Sequence, residues 1–150
     1  MSTELIVRDN ITINAPVSEV WDALVNPQKT KQYMFGCETV SDWKKGSSLE
    51  WRMIHEGKEL VAVKGIIEEI VPEKLLVYTT IDPNSNIDDT SENYLKVTYN
   101  LTAGNGKTVL NVSQGDYTTV AEGARRYQEA MDAGGWSTIL EDIKKLVEAN

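Results

Sequence analysis

Between Leu49 and Tyr117 the chain returns repeatedly to an apolar period of two, and this constrains its fold more than any other feature. Leu49, Trp51 and Met53 alternate with Glu50, Arg52 and Ile54. Glu56–Gly57–Lys58 reads as a turn, residues 59–71 as the next strand, Pro72–Glu73–Lys74 as a second turn and Leu75–Ile81 as a further strand. After a polar stretch from Asp82 to Asn93, Leu95, Val97, Tyr99 and Leu101 alternate with Tyr94, Lys96, Thr98 and Asn100. Asn105–Gly106 is a strong hairpin signal, because both residues tolerate positive φ. The returning strand carries Val109 to Tyr117. Successive side chains on a strand face opposite ways, so strands joined by short turns predict an antiparallel meander with one apolar face.

The flanking segments supply the cover. Leu5, Val7, Ile11 and Ile13 predict a first strand that stops at Ala15–Pro16. Proline is tolerated in a first helical turn, where its missing N–H would have had no partner. Val17, Val20, Trp21, Leu24 and Val25 then fall at helical spacing, Asn26–Pro27 ends that helix, and residues 27–33 predict a second short one. From Val120 to Glu148 the pattern predicts one long amphipathic helix. Ala124, Tyr127 and Met131 line its first half; Trp136, Ile139, Leu140, Ile143 and Val147 line its second. Such a helix would run about 43 Å, enough to cross a sheet. Gly134 and Gly135 interrupt it, the usual mark of a bend or a close backbone approach. With no repeat, low-complexity tract or linker, residues 1–150 are expected to form one α+β domain.

Composition narrows the partners. The net charge is −8, and Lys44–Lys45, Arg125–Arg126 and Lys144–Lys145 are isolated basic pairs. Nucleic-acid binding requires a local cationic excess that displaces counterions from phosphates, so neither nucleic acid nor an anionic membrane is expected as a partner. No run of about 18 apolar residues predicts membrane insertion. The N-terminus, MSTELIVRDNITINA, lacks the basic start and long apolar run of a signal peptide. The single Cys37 fits a reducing compartment. A cytoplasmic location is expected.

Three stretches carry a family resemblance: ITINAPVSEVWDALVNPQKTKQYMF, with Ala15–Pro16 before Val20–Trp21; GIIEEIVPEKLLVYTT, with its turn; and GGWSTILEDIKKL near the end. They resemble the SRPBCC or START-like superfamily, which includes the Bet v 1-like proteins, and are most similar to the family named after the activator of heat-shock protein 90 ATPase. The resemblance covers nearly the whole chain and implies a helix-grip fold. In that fold a curved antiparallel sheet of about six to seven strands surrounds a long C-terminal helix, with two short helices after the first strand. It implies a cavity holding an apolar or amphipathic ligand, in a superfamily that includes lipid carriers, hormone receptors, polyketide cyclases and co-chaperone domains. The eukaryotic co-chaperone joins this type of domain to a separate N-terminal domain important for ATPase stimulation. That region has no counterpart in these residues, so direct chaperone activation is not expected.

A wide sheet gripping one helix should leave volume that the helix cannot fill, a default ligand site. Trp51, Met53, Tyr99, Tyr127 and Met131 are expected to face it, with Tyr78 joining if Leu76 shares its face. Gln114 is in phase with Leu110 and Val112, which places an amide in an apolar space. A buried amide must find partners or lose about 1–3 kcal/mol. A ligand or water would supply them; alternatively the aromatics are ordinary core and Gln114 bonds a tyrosine hydroxyl.

Other chemistry is weakly signalled. His55, the sole histidine, is expected at a solvated strand end, and a Cys37–His55 nucleophile pair would require the two to meet across strands. The loop from Asp82 to Asp88 places oxygen donors like a calcium loop, but Ile87 stands where glycine is needed and Asn93 where a bidentate Glu is needed. It is expected to be a solvated loop or a flap over the cavity. Glu68 and Glu69, adjacent on a strand, should face opposite sides; one turned inward would be a candidate acid or base, whereas an edge or end position in water is expected, and Asp88–Asp89 is a second adjacent pair. No metal site or phosphate-binding glycine loop is present, and no cofactor is expected. The expected function is binding of a small apolar or amphipathic ligand. The alternatives are a co-chaperone-like module with a chaperone or other protein as partner, and a cyclase- or hydrolase-like enzyme using the same cavity. Oligomeric state has no signal in the sequence.

Overall fold

A computed structural model describes residues 4–149 of the chain. The alternating runs become β1 (Val7–Ile13), β2 (Glu38–Ser41), β3 (Ser48–His55), β4 (Lys58–Val71), β5 (Leu75–Thr80), β6 (Leu95–Gly104) and β7 (Lys107–Gly115). They form one seven-stranded sheet in the order β1-β7-β6-β5-β4-β3-β2. Every pairing is antiparallel. The sheet is a meander from β2 to β7, with β1 laid along the far edge.

Two register shifts, between Trp51 and Arg52 and between Ile67 and Glu69, bend the long strands. The tightest point is at Gly65, where a Cβ would lie 1.6 Å from the Thr79 carbonyl oxygen. The strands therefore touch backbone to backbone at a place no side chain can occupy.

Two short helices follow β1: α1 (Val17–Val25) and α2 (Pro27–Tyr33). Asn26 joins them. Its side chain accepts from the Gln28 N–H, while Pro27 fills the first turn of α2 without wasting a donor.

The C-terminal segment departs from the expected single helix. It is two helices, α3 (Gly123–Asp132) and α4 (Ser137–Glu148). Gly134 sits at φ +93° and Gly135 at φ +61°. Gly134 N–H donates to the Met131 carbonyl at 3.0 Å and Gly135 N–H to the Ala130 carbonyl at 2.9 Å. This pair of bonds is a Schellman termination, which satisfies the last carbonyls of α3. The break frees α3 from the phase of α4. Gly123 then sets the face of α3, because its Cα rests on the Tyr117 carbonyl with no room for a Cβ. Tyr127 and Ala130 follow at helical spacing on the half-buried side, whereas Ala124 and Met131 are exposed. The expected stripe of Ala124, Tyr127 and Met131 is thus off by one residue at both ends.

Helix α4 buries Leu140, Ile143 and Val147 against β1, α1 and α2. Among the described residues no helix is long and apolar enough to cross a membrane.

The loop between β5 and β6 is pinned to the body of the protein. Asn84 Nδ2 donates to the Val61 carbonyl at 2.9 Å, and Lys64 and the Tyr94 hydroxyl both engage the Asp89 carboxylate. Asn93 Oδ1 accepts from the Ala121 N–H. Asp82 Oδ1 accepts from the Asn84 N–H at 2.8 Å, a local turn bond in the loop expected to be solvated and not a calcium site. Among the described residues no cluster of three metal-ligating side chains forms.

Asp116 ties the two ends of the sheet edge together. One oxygen of its carboxylate accepts from Leu5 N–H at 3.1 Å, Thr118 N–H at 2.8 Å and the Thr118 hydroxyl at 2.7 Å. The Thr118 backbone bond, then its hydroxyl, hold this carboxyl below the ordinary range. A lowered carboxyl stabilises the folded state above its unfolded pKa and loses that contribution as pH falls through the folded value. Asp116→Asn should therefore lower the melting temperature at neutral pH and flatten its decline in acid, read by thermal unfolding across a pH series. Replacing Gly134 by alanine forces an L residue into the left-handed region and should cost about 1–2 kcal/mol in urea denaturation.

Candidate ligand cavity

On the concave face, one row of cross-strand neighbours runs Val7, Gln114, Val97, Tyr78 across β1, β7, β6 and β5. These four residues floor a cavity of about 410 Å³, within the range of small-molecule sites. Trp51 and Met53 of β3 and Ala62 and Val63 of β4 form one wall. Ala130, Ala133, Gly135, Trp136 and Ile139 form the roof, at the junction of α3 and α4. The roof is open because small residues occupy it.

The mouth is built by the turn after α2. Met34, Phe35 and Cys37 border the cavity, and Phe35 is 79% exposed. Thr30 clamps this turn from below: its hydroxyl bonds the Cys37 carbonyl at 3.2 Å and lies 3.2 Å from the Thr39 N–H, which donates to it.

Of the residues expected to face the cavity, Trp51, Met53, Tyr78 and Gln114 line it. Tyr99, Tyr127 and Met131 do not. Tyr99 has the right parity but stands one row further along, on a level with Leu76 and Val112. There it is sandwiched between Tyr78, at 6.1 Å between ring centroids, and Trp136, edge-on at 5.7 Å. With Trp51, 6.3 Å from Tyr78, these rings form a continuous aromatic ladder through the core. Tyr127 turns to Tyr117, edge-to-face at 5.6 Å. Met131 is 46% exposed, carried outward by the changed phase of α3.

Trp136 is the residue that sequence reasoning left in the core and the structure brings to the site. Its indole N–H donates to Gln114 Oε1 at 3.1 Å, so the Gln114 amide is held by an indole rather than a tyrosine hydroxyl. The signal for this roof was the set of small residues Ala130, Ala133, Gly134 and Gly135 just before Trp136, which leaves a gap beside the indole.

Among the described residues no charged side chain lines the cavity. Burial raises the Tyr78 hydroxyl and the Cys37 thiol above their ordinary values, so both are neutral at physiological pH. His55 is exposed at the β3–β4 turn beside Glu56, outside the cavity that Cys37 borders, so the two form no catalytic pair. Glu68 and Glu69 are also outside. The register shift in β4 lets both border one shallow groove on the outer face, where Glu68 pairs with Lys96 at 3.0 Å and Glu69 with Lys45 at 2.8 Å. The expectation that they face opposite sides fails because of that bulge. No residue of the loop from Asp82 to Asn93 lines the cavity.

A sequence model of the family described as activator of Hsp90 ATPase homolog 1-like protein matches residues 14–148. The chain belongs to this family. Its helix-grip architecture is shared with a solution structure of ChR145 from Cytophaga hutchinsonii, which is 36% identical over 99% of this chain and 97% of that one, with a TM-score of 0.75. The crystal structure of NE0264 from Nitrosomonas europaea is 19% identical over 99% and 97%, with a TM-score of 0.73. That of CalU16 from Micromonospora echinospora is 20% identical over 95% of this chain and 74% of that one, with a TM-score of 0.63. Comparison with curated proteins gave no match. In this family member the match begins just before the Ala15–Pro16 entry to α1 and runs to the end of α4, so it includes every element that builds the cavity except β1, which supplies Val7.

The aromatic ladder carries one cost. The Tyr99 hydroxyl is buried with no hydrogen-bond partner among the described residues. An unpartnered buried hydroxyl costs about 1–3 kcal/mol. Tyr99→Phe should therefore leave stability unchanged or raise it by about 1 kcal/mol in urea denaturation; a marked loss would show that the hydroxyl has a partner.

Proposed function

We propose that this family member binds a small apolar or amphipathic molecule in the cavity beneath the α3–α4 junction. The carrying observation is a volume of about 410 Å³ walled by apolar and neutral polar side chains, beside the buried hydrophobic core. Burial of an apolar ligand body releases about 25 cal/mol per Å² of apolar surface removed from water. The contacts fall to Trp51, Met53, Tyr78 and Gln114, joined by Trp136. Tyr99, Tyr127 and Met131 act behind or outside the site. The binding unit is the whole of residues 1–150 as one domain, and the lone buried thiol of Cys37 favours a cytoplasmic setting.

Simple binding is favoured over catalysis because, among the described residues, no carboxylate, histidine, lysine or arginine lines the cavity. The family description names activation of a chaperone ATPase, which makes a protein partner the second reading. Such a partner would dock on the surface and would not need the cavity.

Filling the cavity separates these readings. Ala130→Phe puts a ring into the roof, and Ala124→Phe puts the same ring on the exposed face of α3. Protein isolated from its host should carry a retained small molecule by native mass spectrometry. Ala124→Phe should keep it and Ala130→Phe should lose it without a fall in the melting temperature of the ligand-free protein. At a hundredfold excess over Kd a ligand adds about 2.7 kcal/mol to stability, so compound screening by thermal shift should show the same split. Capture of a chaperone that is equal in both variants, with no small molecule in either, would favour the second reading.

A further inference from the structure

The cavity contains one fixed polar feature. The Trp136 indole N–H can only donate, and it points at Gln114 Oε1 at 3.1 Å. This settles which way the amide faces, since the oxygen must meet the indole. The two Nε2 hydrogens then have no acceptor among the described residues, while Gln114 itself lines the cavity. Thr80 also borders the space, but its hydroxyl is spent on the Leu95 carbonyl at 3.5 Å. Among the described residues the lining has no lysine, arginine or histidine.

We propose that Gln114, oriented by Trp136, selects an uncharged ligand that carries a hydrogen-bond acceptor, such as a ketone, ester or ether oxygen, on an apolar body. The inference rests on the cavity being a ligand site and adds the chemical class of what enters it. A ligand acceptor completes the Gln114 amide, which would otherwise lose its water without replacement. A carboxylate in the same place would surrender its hydration with no cation to meet it, and an ionised group pays far more than a neutral carbonyl for that transfer. Anionic amphiphiles such as fatty acids are thereby disfavoured. A hydrocarbon fills the space but leaves the amide hydrogens unpaired. The row Val7, Gln114, Val97, Tyr78 puts this donor on the floor between two valines, so the acceptor would lie against the sheet and the apolar body against Trp51 and Met53.

The test uses matched probes on the intact protein. Aryl methyl ketones of one to three fused rings are titrated beside the ethyl arenes of the same shape and the corresponding aryl carboxylates, followed by tryptophan fluorescence and calorimetry. Wild type should bind at least one ketone about tenfold more tightly than its ethyl counterpart, the equivalent of one good hydrogen bond, and the carboxylate more weakly than either. Gln114→Leu should bring the ketone-to-hydrocarbon ratio close to one. Trp136→Phe frees the amide to turn over, so the ratio should fall while aryl alcohols, which can donate, gain on the ketones. Each readout is a ratio within one protein, so a change in overall stability does not imitate it.

Equal binding of ketone and hydrocarbon by wild type, or a ratio that survives Gln114→Leu, would overturn the selection by Gln114 and leave the cavity as a ligand site. Tighter binding of the carboxylate would overturn the uncharged class. Failure of every probe of every size to bind would take down the ligand-site reading and this inference together.

Discussion

A helix of twelve residues cannot roof a sheet of seven strands. At its ordinary rise α4 is about 18 Å long, whereas six strand spacings come to roughly 29 Å. Where α4 lies, against β1, α1 and α2, the concave face is closed by Leu140, Ile143 and Val147. Beyond Trp136 the cover passes to the α3–α4 junction and the end of α3, which among the described residues offer Ala130, Ala133 and Gly135. The cavity is the volume that this junction leaves, and its position follows from the Schellman termination more than from any side chain within it.

The same junction fixes the chemistry of the space. Trp136 caps the start of α4, meets Tyr99 edge-on and holds Gln114. It therefore closes one side of the cavity and sets the orientation of its amide. The ladder of Trp51, Tyr78, Tyr99 and Trp136 continues from the cavity into the closed core, coupling the packing of one to the filling of the other. The charged residues lie elsewhere, as with Glu68 and Glu69 on the outer groove and Asp89 on the pinned loop. The interior is apolar with neutral polar groups and the charge lies on the exterior, which is the basis of the proposed ligand binding.

The alternation of apolar residues made the strands and their antiparallel order legible, because a period of two leaves few other structures. It also gave Trp51, Met53, Tyr78 and Gln114, whose parity is set by the strands on which they sit. Parity does not say how far along a strand the cover extends, and so Tyr99 was expected in the cavity although Trp136 covers it. On the last segment the two glycines were visible as an interruption, but a helical period carried across them gave Met131 the wrong face. The outward pairing of both Glu68 and Glu69 depends on a bulge, a local feature with no clear composition signal in β4.

Methyl NMR with labelled alanine and methionine tests most directly that the space under the helix junction receives a ligand. On titration with an apolar ketone, the signals of Ala62, Ala130, Ala133, Met34 and Met53 should shift together and saturate, while those of Ala103, Ala121 and Ala124 stay in place. Shifts confined to the outer face, or saturating binding that leaves the Ala130 and Met53 methyls unmoved, would contradict the account.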